Sequence, residues 1–200
     1  MARRQILSLS ERESLLALPD DELTLTRMAY FSEQDLAFIN AHRKPASRFG
    51  FAVLLCYLKN IGFAPDKKSS PPAELLRVIG NRLKLSAELW QEYISGRDTT
   101  RREHLGELYR YLELKAFNGA LQKECIQHLL PLSTRTDRGI LIAEELLKRL
   151  HQQRIIIPGI DVVERTCAEA MTLGDKAVYT TLNAHLSITH KSALDALLVT

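Results

Sequence analysis

Arg43, Lys44, Ser47 and Arg48 fall within one short stretch, with Pro45 among them. A guanidinium can donate two bonds at once to guanine, while lysine and serine can hold phosphate oxygens. Pro45 suits the first turn of a helix, so these side chains surround a helix start, which itself attracts anions. Arg97, Thr100, Arg101, Arg102 and His104 form a second group of the same make-up, with Thr99 or Thr100 placed to cap the helix they enter. A third, looser group holds Arg135, Arg138, Lys148, Arg149, His151 and Arg154. For that group a helix C-terminus that favours cations is the better account. From Leu36 to Pro65 the chain has no acidic residue, and Lys59 adds a further cation there. On spacing alone two readings stay open for the first group: a helix-turn-helix that contacts DNA, or a basic loop on an ordinary helical bundle.

Other chemistry is poorly supplied. The sequence has no Gly-x-Ser-x-Gly, no phosphate-binding Gly-x-x-x-x-Gly-Lys, no Gly-x-Gly-x-x-Gly and no His-Glu-x-x-His. No two of the six histidines stand three or four residues apart, the spacing that would bring two imidazoles to one helix face. Carboxylates cluster at Glu11/Glu13, Asp20-Asp21-Glu22 and Glu144-Glu145. The first two fit helix starts, where negative charge suits the dipole, and the third fits a solvated face. Trp90 and Tyr93 could stack on bases, but Leu89, Trp90, Tyr93 and Ile94 make a helical stripe of the kind that fills a core.

The elements that would position these groups read as helices almost throughout, which makes the fold class all-α. Ser8 or Ser10 caps a helix stopped by Pro19; Ser32-x-x-Asp35 opens a second; a third runs from Pro45 to Lys59, with Gly62 just beyond. The third is apolar on most sides from Phe49 to Leu58, so only its first turn and Lys59 are free to face a ligand. Further helices are expected over 72–83, 89–95, 100–114, 118–130 (ending at Pro131), 140–150, 158–171, 175–186 and 189–198. Ile155–Ile157 is the one noteworthy β-branched run. The polar, proline-rich stretch 64–72 reads as the main internal boundary. The expected organisation is a helix-turn-helix-like module over 1–66, a linker over 67–72 and a second helical module over 73–200.

The chain has 200 residues and a net charge of +3, from 27 basic and 24 acidic side chains. That is weak evidence for nucleic acid by itself, because the sum hides the uneven distribution. No apolar run is long enough for a membrane helix, and the N-terminus does not read as a signal peptide. Cys56, Cys125 and Cys167 are odd in number and widely spaced, which argues against a disulfide framework and for three buried thiols in a reducing compartment. The apolar ending Leu197-Leu198-Val199-Thr200 suggests part of something longer.

Several ordered motifs resemble one family. They are Arg3-Arg4 through Pro19, Arg43 through Lys59, Pro71-Pro72 with Leu75, and Trp90, Tyr93, Arg97 and Thr100 through Leu105. Thr136 through Gly139, and Arg154 through Pro158 with Glu164-Arg165, complete the set. Together they resemble the N-terminal part of the Tn-three-family replicative transposases of bacteria. The resemblance implies a helical DNA-binding region that recognises the terminal inverted repeats of a transposon. It also implies that the acidic, magnesium-binding triad of the family lies downstream of this stretch, so the expectation here is a DNA-binding fragment, not an enzyme, with no cofactor of its own. The expected partner is double-stranded DNA at transposon ends, the expected location the bacterial cytoplasm at the nucleoid, and no membrane is involved. DNA contacts are expected from Arg43, Lys44, Ser47, Arg48, Lys59, Arg97, Thr100, Arg101, Arg102, His104, Arg138 and Arg154. The rival reading is a helical module for self-association in a transposase complex.

Overall fold

The structure, a computed structural model, describes residues 5–15, 17–19, 21–66 and 70–197. Among them are eleven helices: α1 (Leu9–Leu15), α2 (Glu22–Met28), α3 (Glu33–Ala41), α4 (Pro45–Asn60), α5 (Ala73–Leu83), α6 (Leu89–Ser95), α7 (Asp98–Tyr111), α8 (Gly119–Ser133), α9 (Gly139–Gln152), α10 (Ile160–His185) and α11 (Ile188–Leu197). The only β-pairing among the described residues is a single parallel bridge between Lys115 and Ile155, inside the β-branched run. The fold is all-α.

The chain divides into two compact units that do not follow its linear order. One comprises Met1–Arg12, Asn118–Leu147 and Gly159–Thr200; the other comprises Glu13–Phe117 and Lys148–Pro158. The expected boundary at 67–72 is therefore not where the packing divides. Leu75, Leu76, Ile79, Trp90, Tyr93 and Leu108 share one core with Leu25, Ile39 and the body of α4. The prolines flanking the connector are part of that packing: Pro65 and Pro71 are buried, and Arg101 donates to the Pro65 carbonyl.

In the 13–117/148–158 unit, α4 is the central element. Every residue from Phe49 to Leu58 is buried, because α3, α5, α6 and α7 all pack around it. Its neighbours carry local start signals. Asp21 accepts from the Thr24 amide at the start of α2. Ser32 and Asp35 form a reciprocal capping box on α3. The expected threonine cap on α7 is not made: the helix starts one residue before Thr99, with Arg97 as its N-cap residue.

In the other unit, α8 and α10 form the main pair. Pro131 lies inside α8, not beyond it, in the last turn on an exposed position. The expected break near Gly174 is absent, and α10 runs unbroken for 26 residues. That glycine serves close packing: a Cβ there would lie 2.4 Å from Ser133 Oγ. Ser133 also donates to the Ala170 carbonyl at 3.0 Å, tying the two helices at the same place. Arg12 anchors the N-terminal segment to α10 through Asp161 at 2.5 Å and Glu164 at 3.0 Å. All three cysteines are buried, and burial pushes the Cys56 and Cys167 thiols up to about 12.

Candidate nucleic-acid interface

Lys44 is the N-cap residue of α4 and Arg97 that of α7, and neither side chain caps its helix. These residues stand at the positive ends of helices of 16 and 14 residues. Arg43 and Lys44 are exposed, and Ser47 and Arg48 are half-buried beside them. On α7, Arg97 and Arg102 are exposed, and Thr100 and Arg101 half-buried. Asp98 and Glu103 lie on the same two turns, so the α7 start is mixed in sign where the α4 start is purely basic.

The contacts of α7 fix how the two starts are disposed. Tyr111, at the end of α7, donates to Asp35 at the start of α3 (2.7 Å), while the His104 ring meets His42, just past the end of α3, at 4.4 Å. α7 therefore runs antiparallel to α3. Phe51, early in α4, packs on His104, and Lys59, late in α4, shares Asp35 with Tyr111. α4 and α7 therefore run parallel, and their basic N-termini point to the same end of the unit. Two clusters about fifty residues apart in sequence come together in this way.

That end is built on a stack of rings. Tyr93 lies against α4 at Gly50, where an added Cβ would sit 2.2 Å from the Tyr93 ring. His104 stacks on Tyr93 at 5.6 Å with planes 10° apart, and Tyr93 Oη shares a 3.0 Å hydrogen bond with His104 Nδ1. His42 packs on Phe51 at 4.3 Å. Burial lowers the basicity of both imidazoles; for His104 the neighbouring His42 lowers it further, to about 4. His104 is thus a neutral core residue, 5% exposed, and does not reach a ligand as the sequence reading expected. Trp90 is buried at 1% and belongs to the same core.

The model of the Domain of unknown function (DUF4158) covers residues 6–170. The chain belongs to the DUF4158 family. It is 57% identical over 198 residues to the transposase for transposon Tn2501 of Escherichia coli, and 41% identical to that for Tn21 of the same species. The transposase for transposon Tn501 of Pseudomonas aeruginosa is 38% identical. Each alignment covers 99% of this chain and 20% of the relative, so the DUF4158 chain spans about one fifth of the length of the transposases it matches.

The remaining site candidates lie elsewhere on this DUF4158 chain. Lys59 sits at the far end of α4, about 20 Å along the helix axis from Lys44, and pairs with the buried carboxylate of Asp35 at 2.7 Å. Arg154 pairs with Glu113 at 2.7 Å. Both line an open cavity of about 480 Å³ with Asp35, Tyr111 and His151, remote from the helix starts. Arg138 is exposed on the α8–α9 loop of the other unit. The sequence reading missed Tyr93, Gly50 and His42 as the support of the basic end. A glycine inside an apolar helix was the one available signal, since such a residue admits a close neighbour. Among the described residues no three His, Cys, Asp or Glu side chains come close enough to hold a metal ion, and no helix is long and apolar enough to cross a membrane.

Proposed function

We propose that this DUF4158 chain binds double-stranded DNA at the terminal inverted repeats of a transposon, as the N-terminal recognition part of a replicative transposase. In this reading strand cleavage and joining, and the magnesium they need, belong to the rest of that enzyme. The observation that carries the reading is the parallel pair of basic helix starts, α4 and α7, facing one end of a unit. Because α4 is buried from Phe49 onward, it approaches the duplex end-on, with Arg43, Lys44, Ser47 and Arg48 reaching phosphates and base edges. Arg97, Thr100, Arg101 and Arg102 supply a second set of contacts, and Arg138 marks a separate, outlying one.

Fluorescence anisotropy with a duplex carrying the Tn2501 terminal repeat, against a shuffled duplex, tests this. Six engaged cations give log Kobs a slope of about −5 against log salt. Arg43→Ala and Arg102→Ala each flatten that slope by about 0.9. Equal affinity for repeat and shuffled duplex, or a slope unchanged in both variants, overturns the placement.

A second reading, self-association within the transposase complex, draws on a different surface. Tyr179, Leu182, Ile188, Leu194 and Leu197 of α10 and α11 are each at least half exposed. Sedimentation as a stable dimer without binding to the repeat favours it over DNA recognition.

A further inference from the structure

All of the proposed cations on α4 and α7 lie at or before the second turn of their helices, and one ring stands between the two sets. The turn that carries Arg43 and Lys44 begins at His42. His42 does not rest on α4 alone: its ring meets Phe51 at 4.3 Å and His104 of α7 at 4.4 Å. His104 in turn is held from its other side by Tyr93 of α6, through both a stack and a hydrogen bond. Tyr93 is itself fixed by the absence of a side chain at Gly50. A continuous line of contacts therefore runs from the α4 backbone through Tyr93 and His104 to the turn before α4. His104 is the member that touches the turn, α4 and α6 at once.

We infer that His104 is a positioning residue of the proposed DNA surface: it sets the spacing between the 42–44 turn and the first turns of α7 without touching nucleic acid. This rests on the DNA-binding reading above. A duplex presents its phosphates at fixed intervals, so two groups of cations neutralise their full number only when held at a matching separation. Loss of the His104 ring leaves each cation in place and lets the two groups engage one at a time.

The salt dependence of binding separates this role from a merely structural one. A variant that only lowers the folded fraction weakens apparent affinity but keeps the slope of log Kobs against log salt. A variant that uncouples the two groups flattens it. His104→Ala, studied where circular dichroism shows it fully folded, is expected to flatten the slope on the Tn2501 repeat duplex by about 2, the loss of two or more phosphate contacts. Affinity at about 0.1 M salt falls at least tenfold, while His104→Phe, which keeps a ring on Tyr93 and His42, restores most of the slope. If His104→Ala does not fold, Tyr93→Phe removes only the shared hydrogen bond and reports on the same coupling with a smaller change of slope. A wild-type slope in folded His104→Ala, or in Tyr93→Phe where that variant stands in for it, overturns the inference and leaves DNA binding standing. A wild-type chain that does not bind DNA overturns both.

Discussion

His104 gives the basic end of this DUF4158 chain a specific acid sensitivity. Burial, and then the neighbouring His42, hold its pKa at about 4 against an ordinary value of 6.5. In the unfolded chain it takes up a proton near 6.5, and in the folded chain only near 4, so between those values the unfolded state binds more protons. Stability is therefore complete above about 6.5 and is lost as pH falls toward 4, by about 3 kcal/mol from this residue. Urea unfolding across pH 7 to 4 should show this decline, and His104→Phe should remove most of it; an unchanged pH dependence in that variant would assign the loss to other groups. Gly50 makes a harder demand. A Cβ there would lie 2.2 Å and 2.3 Å from Tyr93 ring atoms. Gly50→Ala must displace the tyrosine from α4 despite the better helix propensity of alanine, at a cost of about 2–3 kcal/mol in urea denaturation. A neutral Gly50→Ala would mean that Tyr93 is not seated as described.

At the scale of elements, α3, α4 and α7 are pinned at both ends, and the two pins differ in kind. One is the ring stack. The other is Asp35, 2% exposed, which accepts from Lys59 of α4 (2.7 Å), from Tyr111 of α7 (2.7 Å) and from the Ser32 amide (2.8 Å). Burial alone would push this carboxyl up, but the bonds from Lys59, Ser32 and Tyr111 outweigh it and the net shift is downward. Its contribution is thus present above about pH 4 and is lost as acid protonates it. Asp35→Ala removes three charge-assisted bonds together, one of them its half of the capping box, and thermal or urea unfolding at neutral pH should register a loss of about 3 kcal/mol. A loss under 1 kcal/mol would show that the three helices are held by apolar packing alone. This pin was half legible in the sequence. The Ser32-x-x-Asp35 box announces a helix start, as do Pro45 and Asn118, because capping is decided within four residues. That Asp35 also collects Lys59 and Tyr111 depends on contacts 24 and 76 residues away, which no local pattern encodes. The same limit hid the role of His104: Arg101 and Arg102 stand just before it in the sequence, so it read as part of a basic cluster. Gly174 misled in the opposite way. A glycine usually weakens a helix, yet here close contact with Ser133 keeps α10 continuous.

The whole molecule ties the proposed DNA surface to a segment far downstream of it. The unit carrying both basic helix starts is completed by residues 148–158, so it is discontinuous in sequence. That segment contributes the buried Ile155 and Ile157. Its backbone is stitched in by bonds from Lys115 N to Arg154 O (2.8 Å), from Ile156 N to Lys115 O (2.9 Å) and from Ile157 N to Gly62 O (2.9 Å). Two buried isoleucines at about 1.5–3 kcal/mol each, with the net worth of these bonds, come to several kcal/mol, a large share of the stability of a domain this size. Neither the proline-rich connector nor any composition shift marks this dependence, because it arises from where the chain returns and not from what it contains locally. A fragment of residues 13–117 keeps every α4 and α7 cation, yet it is expected to melt broadly and well below the 200-residue chain, and to bind the repeat duplex weakly. Supplying a synthetic peptide of residues 148–158 should restore part of the melting temperature and of the affinity together. Cooperative melting of the 13–117 fragment at the temperature of the full chain would show that 148–158 is an ornament on a self-sufficient unit. Recovery with the peptide would show that removing a segment without a proposed DNA contact weakens recognition by unsettling the unit that carries the contacts.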